Sequence, residues 1–219
     1  MLDTPRVITV QPVLETRARA DFALWPVVDV KPFGFLALGD TLTAAEVGAA
    51  VMSIASCNDI DPEHDGRPPR PAEQLGSFLH GLLTYDVLFA AGGLCVTDTV
   101  TGITLLPGCC NGLEDWRDWY QVLDGSGQAS FGHNPTPLAE RHGDTVRLTV
   151  DTEQDDSPTI DLPVTELWHL LAGTERDLAN FLSLAADWLS QCLPAHASSV
   201  TAALARALDT PPPIRPLMT

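Results

Sequence analysis

The chain has 219 residues, of which 29 are Asp or Glu and 12 are Lys or Arg, so its formal net charge is −17. Nucleic acid and anionic lipid surfaces both attract cations, so this balance argues against either as a partner. It favours a basic protein as the partner. The hydrophobic content of 45% is that of an ordinary globular protein with a substantial core.

The cysteines and the N-terminal residues indicate the compartment. The first residues lack a cationic segment followed by a long apolar core, so no signal peptide is predicted. No apolar run approaches the roughly 18 residues that a membrane span requires. The five cysteines are odd in number and lack the spacing of a disulfide framework. We therefore predict a cytoplasmic protein with reduced thiols.

The first third of the chain predicts strands followed by helices. Up to residue 40, Val- and Phe-rich runs are interrupted by prolines, which indicates edge strands or short strands. A helix is predicted over 44–57, because Thr43 and Glu46 have the spacing of a capping box. The sequence DPEHDG at 61–66 resembles the opening of a calcium loop, but a glutamate at the twelfth position is absent, so a solvated acidic loop is predicted.

The middle of the chain predicts a second helix and a hairpin. We expect the helix to begin at Pro71 and to end at a glycine pair, with four apolar residues on one face: Leu75, Leu79, Leu82 and Phe89. Residues 94–106 read as a β-hairpin with Gly102 in the turn. The segment DTVRLTVD alternates apolar and polar residues and therefore predicts a half-buried strand.

The last third predicts three helices. The first begins at Pro163 and ends at Ala172, with Gly173 just past its end, the second is capped by Thr174, and the third follows Pro194. Strands and helices do not alternate regularly, so the predicted fold class is α+β: an antiparallel sheet with helices packed on one face and a helical C-terminal region. Residues 1–210 are predicted to form a single domain, and 211–219 a proline-rich flexible tail.

The segment LPGCCNGLEDWRDW, residues 106–119, is unusual in composition. Asn111 and Glu114 have the spacing of a helix N-terminus, and Trp116 continues an amphipathic stripe. Trp119 lies off that stripe, so it either widens the buried face or remains partly exposed. An exposed tryptophan beside Arg117 is typical of a protein interface, in which Trp and Arg are favoured anchors.

Candidate partner-binding residues follow from that segment and from the charge. They comprise its two tryptophans, its arginine and two acidic residues of the run DTEQDDSP at 151–158: Trp116, Arg117, Trp119, Asp155 and Asp156. Like charges avoid packing together, so the acidic run predicts an exposed turn or a docking surface for a basic partner.

Cys109 and Cys110 have three alternative interpretations. They are small apolar residues packed at a corner, a reactive thiol whose pKa a following helix N-terminus lowers, or ligands of zinc or another soft metal. His133 lies on a glycine- and proline-rich loop, where functional side chains are common, and is the candidate base or third ligand. Only the third interpretation predicts a cofactor.

The segments PGCCNGLEDWRDW and FGHNPTPLAERHGDTVRL resemble a pattern of uncharacterised actinobacterial proteins, over roughly residues 94–150. The predicted layout and the acidity are also loosely similar to bacterial immunity proteins of the SUKH type. That similarity implies an immunity or regulatory factor.

Two hypotheses follow. The first is a non-enzymatic acidic interaction protein that binds a basic protein, since the common nucleotide, hydrolase and metalloprotease motifs are absent. The second is a thiol- or metal-dependent activity centred on the cysteine pair.

Overall fold

The computed structural model describes residues 6–60 and 66–211. The predicted acidic loop and almost all of the predicted flexible tail lie outside these residues. No helix of the described part is both long enough and apolar enough to cross a bilayer.

Within the described residues, eight strands form two antiparallel sheets. The strands of the first sheet are β1 (Ile8–Glu15), β2 (Phe35–Ala37), β3 (Gly92–Asp98) and β4 (Thr104–Leu105), in the order β2-β1-β3-β4. Those of the second are β5 (Gln128–Ser130), β6 (Leu138–His142), β7 (Thr145–Thr149) and β8 (Thr159–Pro163), in sequence order. The predicted α+β class is confirmed, with two sheets in place of the single predicted sheet.

The part of the chain that the structure describes also contains five α-helices and one 3-10 helix. Their bounds are α1 (Ala44–Cys57), α2 (Gln74–Thr84), the 3-10 helix (Leu113–Asp118), α3 (Trp119–Asp124), α4 (Val164–Cys192) and α5 (Ala197–Ala207). Helix α4 contacts β1 of the first sheet and both β7 and β8 of the second. The buried apolar side chains of both sheets therefore belong to one continuous core cluster.

Pro12 lies in β1, an internal strand of eight residues, where an edge strand or a short strand was predicted. β1 pairs with β3 along nearly its whole length, but its pairing with β2 begins only at Val13. The Pro12 carbonyl accepts a hydrogen bond from Leu38 N on the β2 side. In an antiparallel sheet, the N and O atoms of one residue point to the same neighbouring strand. The missing N–H of Pro12 therefore lies on the β2 side, beyond the paired part of β2, and no hydrogen bond between β1 and β3 is lost.

Three local predictions are confirmed. Thr43 and Glu46 form a reciprocal capping box at the start of α1. The hairpin is present as β3 and β4, with Gly102 at a φ of +72° in its turn. In β7, Val146 and Leu148 point into the core, and the alternate residues Thr145, Arg147 and Thr149 are exposed or half-buried.

Helix α2 is shorter than predicted. It begins at Gln74, where the Glu73 carboxylate accepts hydrogen bonds from the N–H groups of Leu75 and Gly76, so Pro71 lies outside it. It ends at Thr84, and Phe89 belongs to an extended segment. The Asn58 side chain holds Phe89 outside the helix, because its amide donates to Phe89 O and its oxygen accepts from Phe89 N.

Helix α4 is one continuous helix, where two were predicted with a break at Gly173 and Thr174. Gly173 adopts a helical conformation within it. The Thr174 hydroxyl donates to Leu170 O one turn earlier and therefore caps nothing. Thr174 is fully buried, so tertiary packing overrides the local stop signal of glycine followed by a capping residue.

Candidate functional site

Two loops that leave different sheets meet at the cysteine pair. One follows β4 and carries Cys109 and Cys110, and the other follows β5 and carries His133. An isolated antiparallel bridge joins them: Cys109 N donates to His133 O (2.6 Å) and His133 N donates to Cys109 O (3.2 Å). The backbone therefore fixes Cys109 beside His133.

Two glycines allow this close approach. A Cβ on Gly108 would collide with the Pro135 carbonyl, and a Cβ on Gly132 would lie 2.6 Å from Cys109 O. Gly132 also has a φ of +95°, which favours glycine. Next to them, the peptide bond between Asn134 and Pro135 is cis. Glycine is thus required on both sides of the bridge.

The side chains of Cys109, Cys110 and His133 converge on one exposed spot. The two Sγ atoms are 3.4 Å apart, and each sulfur and an imidazole nitrogen lie within 4.8 Å of one another. Cys110 has a φ of +64°, a conformation in which its thiol lies next to that of its neighbour. All three residues are exposed, so the interpretation as packed apolar corner residues does not describe them.

The neighbouring thiol raises the pKa of Cys109. The hydrogen bond with Cys110 is the largest cause, followed by some loss of solvation and by the negative charges of a Cys110 thiolate and of Glu15. The expectation that a helix N-terminus lowers this pKa is wrong for Cys109. The 3-10 helix begins only at Leu113, four residues after Cys109.

The predicted N-cap, Asn111, instead ties the cysteine loop to the first sheet. Its side-chain amide donates to Gly92 O (2.7 Å), and its backbone carbonyl accepts from Gly92 N (3.0 Å). Glu114 does not complete a capping box either, because its carboxylate accepts from Ala90 N (2.9 Å). The actual N-cap is Gly112, which has no side chain to offer.

The two tryptophans of the unusual segment are core residues. Trp116 and Trp119 are each only 1% exposed, so in this conformation neither can present the partner-binding surface that the sequence suggested. Trp119 stacks on Phe131, with ring centroids 4.1 Å apart and planes 8° from parallel. Phe131 O accepts a hydrogen bond from Gly108 N (2.8 Å). The stacked rings therefore anchor both the cysteine loop and the His133 loop to the core.

Arg117 is half-buried and already has partners. Its guanidinium pairs with Glu175 (2.8 Å) and Asp209 (2.8 Å) and lies 4.4 Å from the centroid of the Trp116 ring. These contacts fasten the 3-10 helix to α4 and to the end of α5. The arginine therefore has a structural role.

Asp155 and Asp156 are exposed on the turn between β7 and β8. This position agrees with the prediction of an exposed acidic turn. They belong to a different loop from the cysteines and from Arg117.

Among residues 6–60 and 66–211, Cys109, Cys110 and His133 form the only such group of three potential metal ligands. Comparisons with models of protein families, with curated proteins and with solved structures give no significant match. The geometry of the site therefore carries the functional argument.

Sequence reasoning missed two features. Glu15, the last residue of β1, lies close enough for its charge to raise the pKa of Cys109. Arg17 and Arg19 line a cleft that the sequence analysis did not predict. The sequence TRARA could have indicated it, because it places two of only 12 basic residues almost side by side.

Proposed function

We propose that this protein binds a thiophilic metal ion of the zinc class through Cys109, Cys110 and His133. The observation that supports the proposal is the convergence of these three donors from two separate loops, within 4.8 Å of one another. Thiolate and imidazole are soft or borderline ligands, so they favour zinc or copper over magnesium or calcium.

The distances between the donors suit a tetrahedral ion. Two sulfurs that each lie about 2.3 Å from a tetrahedral zinc are about 3.8 Å apart. The two Sγ atoms are 3.4 Å apart, so only a small opening of the pair is required. The imidazole is exposed and reaches the ion by rotation of its own side chain.

Three protein ligands leave the fourth position open. Structural zinc sites use four protein ligands, whereas three ligands and an open position are typical of catalytic sites. The bound ion would therefore hold a water molecule or a small exogenous ligand. Metal binding displaces thiol protons, and the raised pKa of Cys109 means that affinity increases with pH.

The test is a metal titration of the full chain after treatment with a chelator. Cobalt(II) serves as the spectroscopic probe, and zinc affinity is measured in competition with a chromophoric chelator. We expect one equivalent to bind and cobalt to give thiolate charge-transfer absorption. Losing a residue that merely orients a ligand weakens binding about 10–100-fold, so Cys109→Ser, Cys110→Ser and His133→Gln should each weaken it by about 100-fold or more.

Two matched controls lie outside the site. Cys192→Ser removes an exposed cysteine on α4, and His142→Gln removes an exposed histidine at the end of β6. Both variants should keep the affinity of the parent protein. Stoichiometric binding that survives loss of Cys110, or equal weakening in the controls, would refute the proposal.

A second candidate function is binding of a basic protein, as an immunity or regulatory factor would do. The net charge of −17 and the exposed carboxylates of Asp155 and Asp156 support it. If it is correct, affinity capture at low salt recovers one partner, which is lost with an Asp155→Asn/Asp156→Asn double variant and at high salt. Asp187→Asn, an exposed carboxylate on α4, is the control and should retain the partner.

A further inference from the structure

The segment after β1 forms the wall of two adjoining cavities of about 600 and 370 Å³, which share Arg19 and Asp59. We call them together the arginine cleft. The first cavity is lined in addition by Arg70 of the α1–α2 connection and by Phe78 of α2. The second extends towards Arg17 and the exposed Phe33. The cleft has the size of a site for a small organic molecule.

The described lining of this cleft has a net charge opposite in sign to that of the chain as a whole. Its described lining contains three arginines and two carboxylates: Arg17, Arg19, Arg70, Asp21 and Asp59. Acidic residues outnumber basic ones by 29 to 12 in the sequence. A quarter of the cations thus line one cleft, where an anion is attracted locally despite the negative charge elsewhere.

Two of the three arginines, Arg19 and Arg70, are oriented before any ligand arrives. Asp59 holds Arg70 at 2.7 Å and Arg19 at 3.4 Å, and Arg70 also donates to Ser77 O and Ile60 O. The Arg19 guanidinium lies 4.9 Å from the centroid of the Phe78 ring. Holding a planar guanidinium in place lowers the entropy lost when it binds an anionic oxygen group.

Part of the lining is apolar. Phe22, Leu24 and Phe78 contribute to the first cavity, and the rings of Phe22 and Phe78 pack edge to face, 5.4 Å apart. A ligand that is anionic at one end and apolar at the other would match both parts. Inorganic anions would match only the arginines.

We propose that the arginine cleft binds a small organic molecule that combines a carboxylate or phosphate group with an apolar or aromatic group. The anionic group contacts Arg17 and Arg19, and the apolar group lies against Phe22 and Phe78. This site is distinct from the cysteine cluster and does not depend on metal binding.

The experiment measures binding of four probes by calorimetry and by NMR chemical-shift changes. Benzoate and phenyl phosphate carry the two anionic groups on one ring, benzamidine carries a cation on that ring, and inorganic phosphate lacks the ring. We expect benzoate or phenyl phosphate to bind at least about tenfold more tightly than benzamidine, because a charge-assisted hydrogen bond accounts for about that factor. The same probe should also bind more tightly than inorganic phosphate, which has no ring to bury against Phe22 and Phe78. The better of the two identifies the anionic group.

Variants locate the binding. The double variant Arg17→Gln/Arg19→Gln alters exposed side chains and should lose at least about tenfold in affinity while keeping its melting temperature within a few degrees. Arg147→Gln removes an exposed arginine that pairs with Asp161 on the second sheet, and it should leave the affinity unchanged. His133→Gln should also leave it unchanged, which separates this cleft from an anion bound at the metal.

Three results would overturn the inference. They are failure of both benzoate and phenyl phosphate to bind more tightly than benzamidine, equal weakening by Arg147→Gln, and loss of the anion with His133→Gln. In the last case the anion belongs to the metal centre.

Discussion

At the scale of single residues, the site depends on side chains that never touch it. Trp119 is buried and stacks on Phe131, and Phe131 precedes His133 by two residues. The same loop accepts a backbone hydrogen bond from Gly108, which precedes the cysteines. The core thus determines the positions of all three candidate ligands.

Trp119→Ala should lower the free energy of unfolding by about 3–5 kcal/mol, because a large buried ring is removed and a cavity remains. Urea denaturation followed by circular dichroism measures the change. Trp168→Ala is the control, since Trp168 is 47% exposed and its loss should have a much smaller effect. Equal losses in the two variants would contradict the role assigned to the stack.

Glu114 links stability to pH. Burial is the main reason that its pKa is raised, and the charge of Asp115 adds to the effect, although the hydrogen bond from Ala90 N opposes it. A carboxyl group whose pKa is higher in the folded state favours folding when protonated. Its contribution is therefore present at low pH and is lost as pH rises from the unfolded value of about 4.3 through the folded value.

In Glu114→Gln, the amide oxygen still accepts the hydrogen bond from Ala90 N and carries no charge. The variant should therefore not lose free energy of unfolding as the pH rises through the pKa of Glu114. The free energy of unfolding of the variant, relative to the parent, should be higher at about pH 7 than at about pH 4. Urea denaturation at both values measures it. Glu153→Gln, an exposed carboxyl group, controls for the change in net charge. A constant difference between the two pH values would be incompatible with the raised pKa.

At the scale of elements, signals within a few residues were sufficient where no distant contact competes. The capping box of Thr43 and Glu46 and the alternation of β7 were both predicted from neighbouring residues and are confirmed. The predicted extension of α2 to Phe89 was wrong, because the side chain of Asn58, 31 positions earlier, forms hydrogen bonds with the backbone N and O of Phe89. Neighbouring residues do not reveal such a distant contact. Burial of Thr174 likewise made a continuous α4 out of two predicted helices.

Gly173→Ala tests the continuity of α4. In a helix interior, alanine is more favourable than glycine by up to about 1 kcal/mol, and the Cβ would meet only the end of the Arg176 side chain, 3.7 Å away. We therefore expect a higher free energy of unfolding, measured by chemical denaturation. Ala172→Gly, on the exposed neighbouring residue, should lower it by a similar amount. A destabilised Gly173→Ala protein would indicate that the helix ends at this glycine, as the sequence alone suggested.

At the scale of the whole molecule, the sequence indicated the candidate residues of the cysteine and histidine site but not that they lie close together in space. Adjacent cysteines and a histidine on a glycine-rich loop were identifiable by composition. Their convergence depends on Gly108 and Gly132 bringing two loops together. The arginine cleft was less accessible still, because Arg70 lies more than 50 residues from Arg17 and Arg19.

The charge of −17 should also affect stability. Repulsion among carboxylates opposes the compact state, and raising the salt from about 0.01 M to about 0.15 M shortens the Debye length from about 30 to about 8 Å. Screening should therefore raise the melting temperature. In a chain of this size, each 1 kcal/mol gained in the free energy of unfolding raises it by about 2–4 °C.

Thermal denaturation in sodium chloride and in choline chloride of equal ionic strength measures this effect. Equal increases in the two salts indicate screening, and an increase in sodium alone indicates a specific ion. A decrease in both salts would mean that ion pairs such as that of Arg147 and Asp161 outweigh the repulsion.

Helix α4 has one further consequence. Its 29 residues span about 43 Å and contact strands of both sheets. A backbone nick in the exposed turn at 151–158 would leave two fragments, of which the second carries β8, α4 and α5. Since the first fragment needs that helix to cover its apolar faces, the pieces should stay associated and re-form the same molecule when mixed.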